Sequence, residues 1–362
     1  MGVEIKLTDR DLPVSPSFVD FLHRYLEGKE PGARWHDQES EELIVPARFE
    51  DAVKQAAAVA PQVVQHPVGQ QAIYRSYELL TAFLTGRPEK LRSLHERHRF
   101  ICVVGCPRHG GTYLVKQLFL ALGMDPARVP DALAHDGFPA AAPFRFRQGY
   151  NALTTLMQQM SEYLAMVEVF FADSRRSDGL VVVPKKATKA VYHGAFFTAA
   201  LGPNTEYAIT LRHPLPACIS TYEKSTGLPQ GGKFRVRSNI EEWAQRDNEF
   251  TGADLQTLDE QDYFDVYLRY WEQYHCNLAL TGLFAHRNRT VVVYGSERMR
   301  SLAREWIERF AGRGVAEEFN VVDYRGRHRE WETKAVAAIR RVASTWESMG
   351  VAFPLDEIME AQ

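Results

Sequence analysis

Between Gly105 and Thr112 the chain reads Gly-Cys-Pro-Arg-His-Gly-Gly-Thr, three glycines, an arginine and a hydroxyl within eight residues. The apolar run Phe-Ile-Cys-Val-Val-Gly precedes it and the helical pattern Thr-Tyr-Leu-Val-Lys-Gln-Leu-Phe-Leu-Ala-Leu-Gly follows. A strand, a Gly-rich turn and a helix in that order aim several backbone N–H groups and a helix N-terminus at one spot, which suits a phosphate. Glycine allows close backbone approach, Arg108 adds charge and Thr112 a hydroxyl. There is no Gly-Lys-Ser/Thr here, hence no loop lysine for a γ-phosphate, which disfavours a kinase or nucleoside triphosphatase.

A second element has the same character. After Tyr-Ala-Ile-Thr-Leu (207–211) come Arg212-His213-Pro214 and, eight residues after the arginine, Ser220. An arginine leaving the C-terminal end of a strand, a proline opening a helix and a serine two turns along it place a guanidinium fork and a hydroxyl against one phosphate.

Both elements resemble motifs of the sulfotransferases that use 3′-phosphoadenosine 5′-phosphosulfate (PAPS). The first is similar to their 5′-phosphosulfate loop, Gly-x-Pro-Arg/Lys-Ser-Gly-Thr-Thr, with His109 in place of Ser, Gly111 in place of the first Thr and Thr112 keeping the second. The second is similar to their 3′-phosphate motif, Arg-Asp-Pro with a Ser eight residues after the Arg, here with His213 in place of Asp. The resemblance covers about residues 99–345. It implies a P-loop-like α/β core, PAPS as sulfonyl donor, adenosine 3′,5′-bisphosphate as product and a hydroxyl of a small-molecule, lipid or glycan acceptor. By resemblance Pro107, Arg108, His109, Gly110, Gly111, Thr112 and Tyr113 are expected at the 5′ end of the nucleotide, and Arg212 and Ser220 at its 3′ end. The segment Tyr324 to Trp331 loosely resembles the C-terminal loop that closes on the 3′-phosphate, which adds Arg325 and Gly326.

Sulfonyl transfer by in-line displacement builds charge on the bridging oxygen, so fixed donors there accelerate it. Arg108, the loop N–H groups and Thr112 are expected in that role. Lys186, in Leu-Val-Val-Val-Pro-Lys-Lys, stands where the family often places a lysine. No metal is required. The Lys-x-His-Leu-Pro motif that supplies a base in some relatives is absent. The segment Val-Pro-Asp-Ala-Leu-Ala-His-Asp, where other relatives carry a carboxylate, offers Asp131, His135 and Asp136. His135 ranks first by intrinsic pKa and Asp131 by spacing. His109, inside the loop, is a further candidate base, though a phosphate contact is expected of it. Two other readings stay open: a P-loop-type phosphotransferase needing a nucleoside triphosphate and Mg²⁺, and a catalytically inactive nucleotide-binding protein.

The elements that must position these residues follow from periodicity. Residues 1–96 carry only helical patterns (Phe18 to Leu26 ending at Gly28, Pro46 to Ala58, and Ile73 to Leu84 ending at Gly86) and read as an accessory region. Residues 97–362 alternate short β-branched runs with helical patterns, which argues for a mostly parallel sheet flanked by helices. Helices are expected at 151–171, 189–201 and 264–284, and strands at 180–183, 207–211 and 290–294. The stretch 225–238 is Gly-rich and basic; it reads as a loop near the acceptor, where Lys233, Arg235 and Arg237 would favour an acidic one.

With 43 basic and 46 acidic residues the net charge is −3, which argues against a general nucleic-acid or membrane-surface binder and demands a local basic pocket for an anion. The four cysteines form no CxxC pair and no zinc pattern, so a reducing compartment is expected. The start Met-Gly-Val-Glu-Ile-Lys is too charged for a signal peptide, Lys6 stands where a myristoylation signal has Ser or Thr, and no apolar run approaches the roughly 18 residues of a membrane span. The sequence reads as cytoplasmic, with the oligomeric state open.

Overall fold

The computed structural model describes residues 14–29, 46–135, 138, 152–174, 176–223, 232–236, 239–250, 255–312, 314, 316–324 and 326–361. Asp136, Arg237 and Arg325 lie outside these, as does most of the stretch 225–238.

In chain order, the helices are α1 (Pro16–Leu26), α2 (Pro46–Gln65) and α3 (Pro67–Thr85). Then come β1 (His98–Gly105), α4 (Gly111–Ala121), the four-residue α5 (Asp131–Ala134) and α6 (Ala152–Phe170). Strands β2 (Arg176–Ser177) and β3 (Leu180–Lys186) precede α7 (Gly194–Leu201), β4 (Glu206–Leu211) and α8 (Pro214–Tyr222). Helices α9 (Asn239–Phe250) and α10 (Tyr263–Leu280) lead to β5 (Arg289–Val293), α11 (Ser296–Trp306) and α12 (Glu332–Ser348). The sheet order is β2-β3-β1-β4-β5, with four parallel strands and only the short β2 antiparallel, so the expected α/β class with a mostly parallel sheet holds. Among the described residues no helix is long and apolar enough to cross a membrane.

The chain divides into two compact units. The first comprises residues 1–98, 125–141 and 149–183, the second 99–124, 142–148 and 184–362. The boundary expected at 96/97 therefore lies beside the observed break at 98/99, but the helical unit also takes later segments that periodicity assigned to the α/β domain.

Within the first unit, α3 packs on α6 and α1 on α2. Glu162 is buried on α6, and its carboxylate accepts from Ser15 N (2.9 Å), Ser15 Oγ (2.5 Å) and Gln158 Nε2 (3.1 Å). Ser15 is also the N-cap of α1, accepting from Phe18 N, so one residue ends a helix and satisfies a buried acid. Arg75 on α3 pairs with Glu168 on α6 at 2.7 Å.

In the second unit β1 contributes Phe100 to Val104, fully buried, and β4 pairs with it in parallel, Gly105 opposite Thr210. A Cβ on Gly105 would stand 2.0 Å from Thr210 Oγ1, so only glycine lets these strand ends approach. Helix α10 is the central post. Trp271 and Tyr274 on it are fully buried, their polar atoms donating to Arg212 O (3.1 Å) and Thr188 O (2.7 Å). The helix expected over 189–201 is two pieces, a 3₁₀ turn at Thr188–Tyr192 and then α7. The break falls at Gly194, where a Cβ would lie 2.6 Å from Leu283 N.

Candidate functional site

Strands β1 and β4 are adjacent and parallel, so their C-terminal ends lie about 4.8 Å apart. The Gly-rich turn leaves one end and Arg212 the other. Two segments separated by about a hundred residues of sequence are thereby brought to one place, at the sheet edge where ligands of such folds bind.

The turn holds its shape by internal bonds. His109 N donates to Cys106 O (3.2 Å) and Tyr113 N to Gly110 O (3.1 Å). Arg108 sits at φ 71° and Gly110 at φ 83°. A left-handed arginine is strained, since its Cβ crowds the backbone there, and such strain concentrates where a site demands a shape. Gly110 is fixed from outside: a Cβ would meet Met299 Cε at 2.5 Å and Phe319 Cζ at 3.3 Å. Among the described residues no backbone acceptor faces the N–H groups of Arg108, Gly110, Gly111 and Thr112. Those of Gly111 and Thr112 are the first two of α4, which a helix leaves open by construction. These four donors make the turn a candidate anion site.

Around it the side chains converge. Arg108 Nε donates to Ser220 Oγ at 3.1 Å, and Arg212 Nη1 donates to Arg108 O at 2.9 Å. Arg212 is 4% exposed, its Nε has no hydrogen-bond partner, and it lies over the rings of Tyr294 (4.1 Å) and Tyr324 (5.8 Å). Burial pulls its pKa down and the nearby Arg108 pulls the same way, while the tyrosines oppose. A guanidinium buried beside a second cation, with a donor unused, is costly unless an anion completes it. Lys186, ending β3, lays its stem along Gly111, where a Cβ would meet its Cγ at 3.5 Å. A cavity of about 500 Å³ opens beside Arg212, lined by Pro216, Tyr294, Val321 and Val322 and also by Arg298 and the acidic residues Glu297, Asp323, Glu357 and Glu360.

The two histidine departures from the resembled motifs have separate causes. His213 is the N-cap of α8, its Nδ1 accepting from Leu215 N at 3.3 Å, the job a short acid does at such a position. Burial lowers its pKa to about 4, which keeps that nitrogen free to accept. In place of the expected phosphate contact, the His109 ring is turned into the core. It is 1% exposed, with Nδ1 3.0 Å from Thr210 O, so that nitrogen carries the proton. It also stacks on His275, ring centroids 5.4 Å apart. Burial holds its pKa well below the usual histidine value.

Tyr113 donates to Glu317 O at 2.7 Å and packs against Phe319, and Gln117 and Lys116 hold the Glu317 carboxylate. The segment 316–324 thus straps the start of α4, and through Tyr324 it reaches Arg212. Gly326 follows in a tight turn at φ 79°. Asp131 opens α5 and His135 ends it, His135 N donating to Asp131 O at 2.7 Å; both belong to the first unit. Arg235 is ion-paired with Asp259.

Sequence reasoning gave no role to Tyr294, although it ends a β-branched run as Arg212 does. Strand-end position was the signal available. Among the described residues no group of His, Cys, Asp and Glu is placed to hold a metal ion. Comparison with family models, with curated proteins and with solved structures finds no match to this chain.

Proposed function

We propose that the chain is a PAPS-dependent sulfotransferase with a P-loop-like core, acting on a hydroxyl acceptor. The observation that supports this reading is the Arg212–Arg108–Ser220 chain of hydrogen bonds, which ties the Gly-rich turn after β1 to the turn and helix after β4. Two cradles that close fit one doubly phosphorylated nucleoside better than two separate anions. Two features support such a ligand: four N–H groups of the turn with no backbone acceptor, and a buried guanidinium with an unused Nε.

The donor supplies an activated sulfonyl group and a bisphosphate leaving group. The turn N–H groups, Arg108 and Thr112 hold the 5′ end and stabilise charge on the bridging oxygen as it departs, with Lys186 beside them. Arg212 and Ser220 grip the 3′-phosphate through charge-assisted bonds. Tyr294, under the Arg212 guanidinium, offers a ring face at the cavity wall.

Calorimetry with adenosine 3′,5′-bisphosphate against ATP-Mg²⁺ tests the binding half: saturable binding of the first and none of the second is expected. Transfer of labelled sulfonate to a panel of hydroxyl acceptors tests the catalytic half. Tight ATP-Mg²⁺ binding would favour a phosphotransferase instead. Bisphosphate binding without any transfer would mark an inactive nucleotide-binding protein.

A further inference from the structure

In the first unit, Val68, Ala72 and Arg75 on α3, and Ala165, Glu168 and Val169 on α6, stand at helical spacing, so each set shares one face of its helix. The two helices pack along each other, yet these faces leave a hollow of about 830 Å³ that all six residues line. Alanine at 72 and 165, and again at 172 just past α6, is too small to fill it. Every residue of the lining belongs to the first unit. The volume falls in the range of small-molecule sites, roughly 300–1,000 Å³.

Part of that lining is charged but complete. Arg75 donates through Nε to Glu168 (2.7 Å), through Nη1 to Glu78 (3.0 Å) and through Nη2 to Glu168 (3.3 Å) and Ser93 (3.4 Å). Lys90 stands 3.9 Å from the same Glu78, so two cations and two carboxylates cancel. Tyr25 on α1 donates to Val169 O at 3.3 Å, which holds its ring at the hollow. The rest of the polar lining is unfilled. The side chains of Gln71, Tyr74, Arg97 and Asp173 make no hydrogen bond or ion pair among the described residues. Tyr74, at 73% exposure, leaves a ring in water that a ligand would cover. Arg97 ends the short helix Arg92–Arg97 and Asp173 follows α6; they carry opposite charges and line one hollow, yet do not pair with each other. A lone anion would meet the Asp173 carboxylate, and a lone cation the Arg97 guanidinium. A ligand with both charges on an apolar body answers both.

We propose that this hollow binds a small zwitterion with apolar side chains, of the size of a dipeptide. Arg97 takes its carboxylate with the guanidinium fork, Asp173 takes its ammonium, and Tyr25, Tyr74 and Val169 cover its side chains. Gln71, with a donor and an acceptor in one amide, suits the peptide group between the two charges. The site does not depend on the sulfotransferase reading, whose residues belong to the second unit. It gives the helical unit a ligand of its own.

The test is calorimetry on the full chain with three ligands: leucyl-phenylalanine, its N-acetyl form, which lacks the ammonium, and its C-terminal amide, which lacks the carboxylate. The dipeptide should bind saturably at one site, and each altered form about tenfold or more weaker, having lost one charge-assisted pair. Arg97→Gln should bind the dipeptide weaker by a similar factor and no longer distinguish it from its amide. Asp173→Asn should no longer distinguish it from the N-acetyl form. Both side chains are exposed and unpaired, so neither change should lower the melting temperature. Ala172→Trp, which fills the hollow from an exposed position, should abolish binding. No saturable binding of the dipeptide, or equal affinity for all three ligands, overturns the proposal. So does an Arg97→Gln protein that still discriminates against the amide, or a dipeptide affinity untouched by Ala172→Trp.

Discussion

Arg212 carries more of the site than any other side chain. It is buried, it bridges to the loop through Arg108 O, it lies on Tyr294 and it keeps an unused donor. Removing it should weaken bisphosphate binding by about 1.5–3 kcal/mol, the range for a charge-assisted hydrogen bond, or roughly 10- to 150-fold in Kd. Calorimetry on Arg212→Ala reads this directly, and an unchanged Kd would remove it from the 3′-phosphate. Arg212→Lys should recover little, since a point charge replaces a planar fork. Arg108 has a different signature. Placed at the bridging oxygen, its loss should lower kcat more than it lowers affinity. Equal turnover in Arg108→Ala and the wild type would deny it that role. Both arginines were legible in the sequence because each follows a strand and precedes a helix. The burial of Asp247 was not, because it depends on what packs against α9 and leaves no mark in α9 itself.

At the scale of elements, α8 shows how a departure from a motif is absorbed. His213 caps the helix by accepting through Nδ1, which works only while the ring is neutral. Its folded pKa is pushed down to about 4, and that of His275 on α10 likewise. Both values lie below the unfolded histidine value near 6.5. Between those limits the unfolded chain binds protons that the folded chain refuses, so stability is full above about pH 6.5 and falls as pH drops toward 4. Each ring contributes a slope of roughly 1.4 kcal/mol per pH unit inside that window. Asparagine caps a helix well and does not titrate. His213→Asn should therefore match the wild type at pH 7 to within about 1 kcal/mol and lose visibly less by pH 5 in urea unfolding. Parallel curves for the two proteins would show that the ring does not titrate in this window. The strands and most helices could be read from hydrophobic period, and the αL glycine that caps α3 from its position. The split between the 188–192 turn and α7 could not, because it is set by Gly194 meeting Leu283, a contact about ninety residues away in sequence.

For the whole chain, a net charge of −3 gives an anionic ligand no general attraction, so affinity must come from the pocket where β1, β4 and β5 end. The residues there come from four separated stretches: 105–113, 212–220, 294–295 and 316–324. Parallel strand order makes the first three neighbours, and the Glu317 bonds to α4 add the fourth. That convergence was visible in the sequence only in part: two stretches announced themselves by residue type, and the other two contribute tyrosine, valine, backbone and the carboxylates of Glu317 and Asp323, in no pattern that marks a nucleotide site. A ligand that spans these stretches should order them together. At a bisphosphate concentration of 100 times Kd, binding to the folded state alone adds about 2.7 kcal/mol of stability. The apparent melting temperature should rise accordingly, and hydrogen exchange should slow in all four stretches at once. ATP-Mg²⁺ at the same concentration should leave both readings in place. Protection confined to 105–113, with 212–220 and 294–295 exchanging as before, would mean that the loop holds a lone anion. The bridge from Arg108 to Arg212 would then be a packing contact within the unit and not the floor of a nucleotide site.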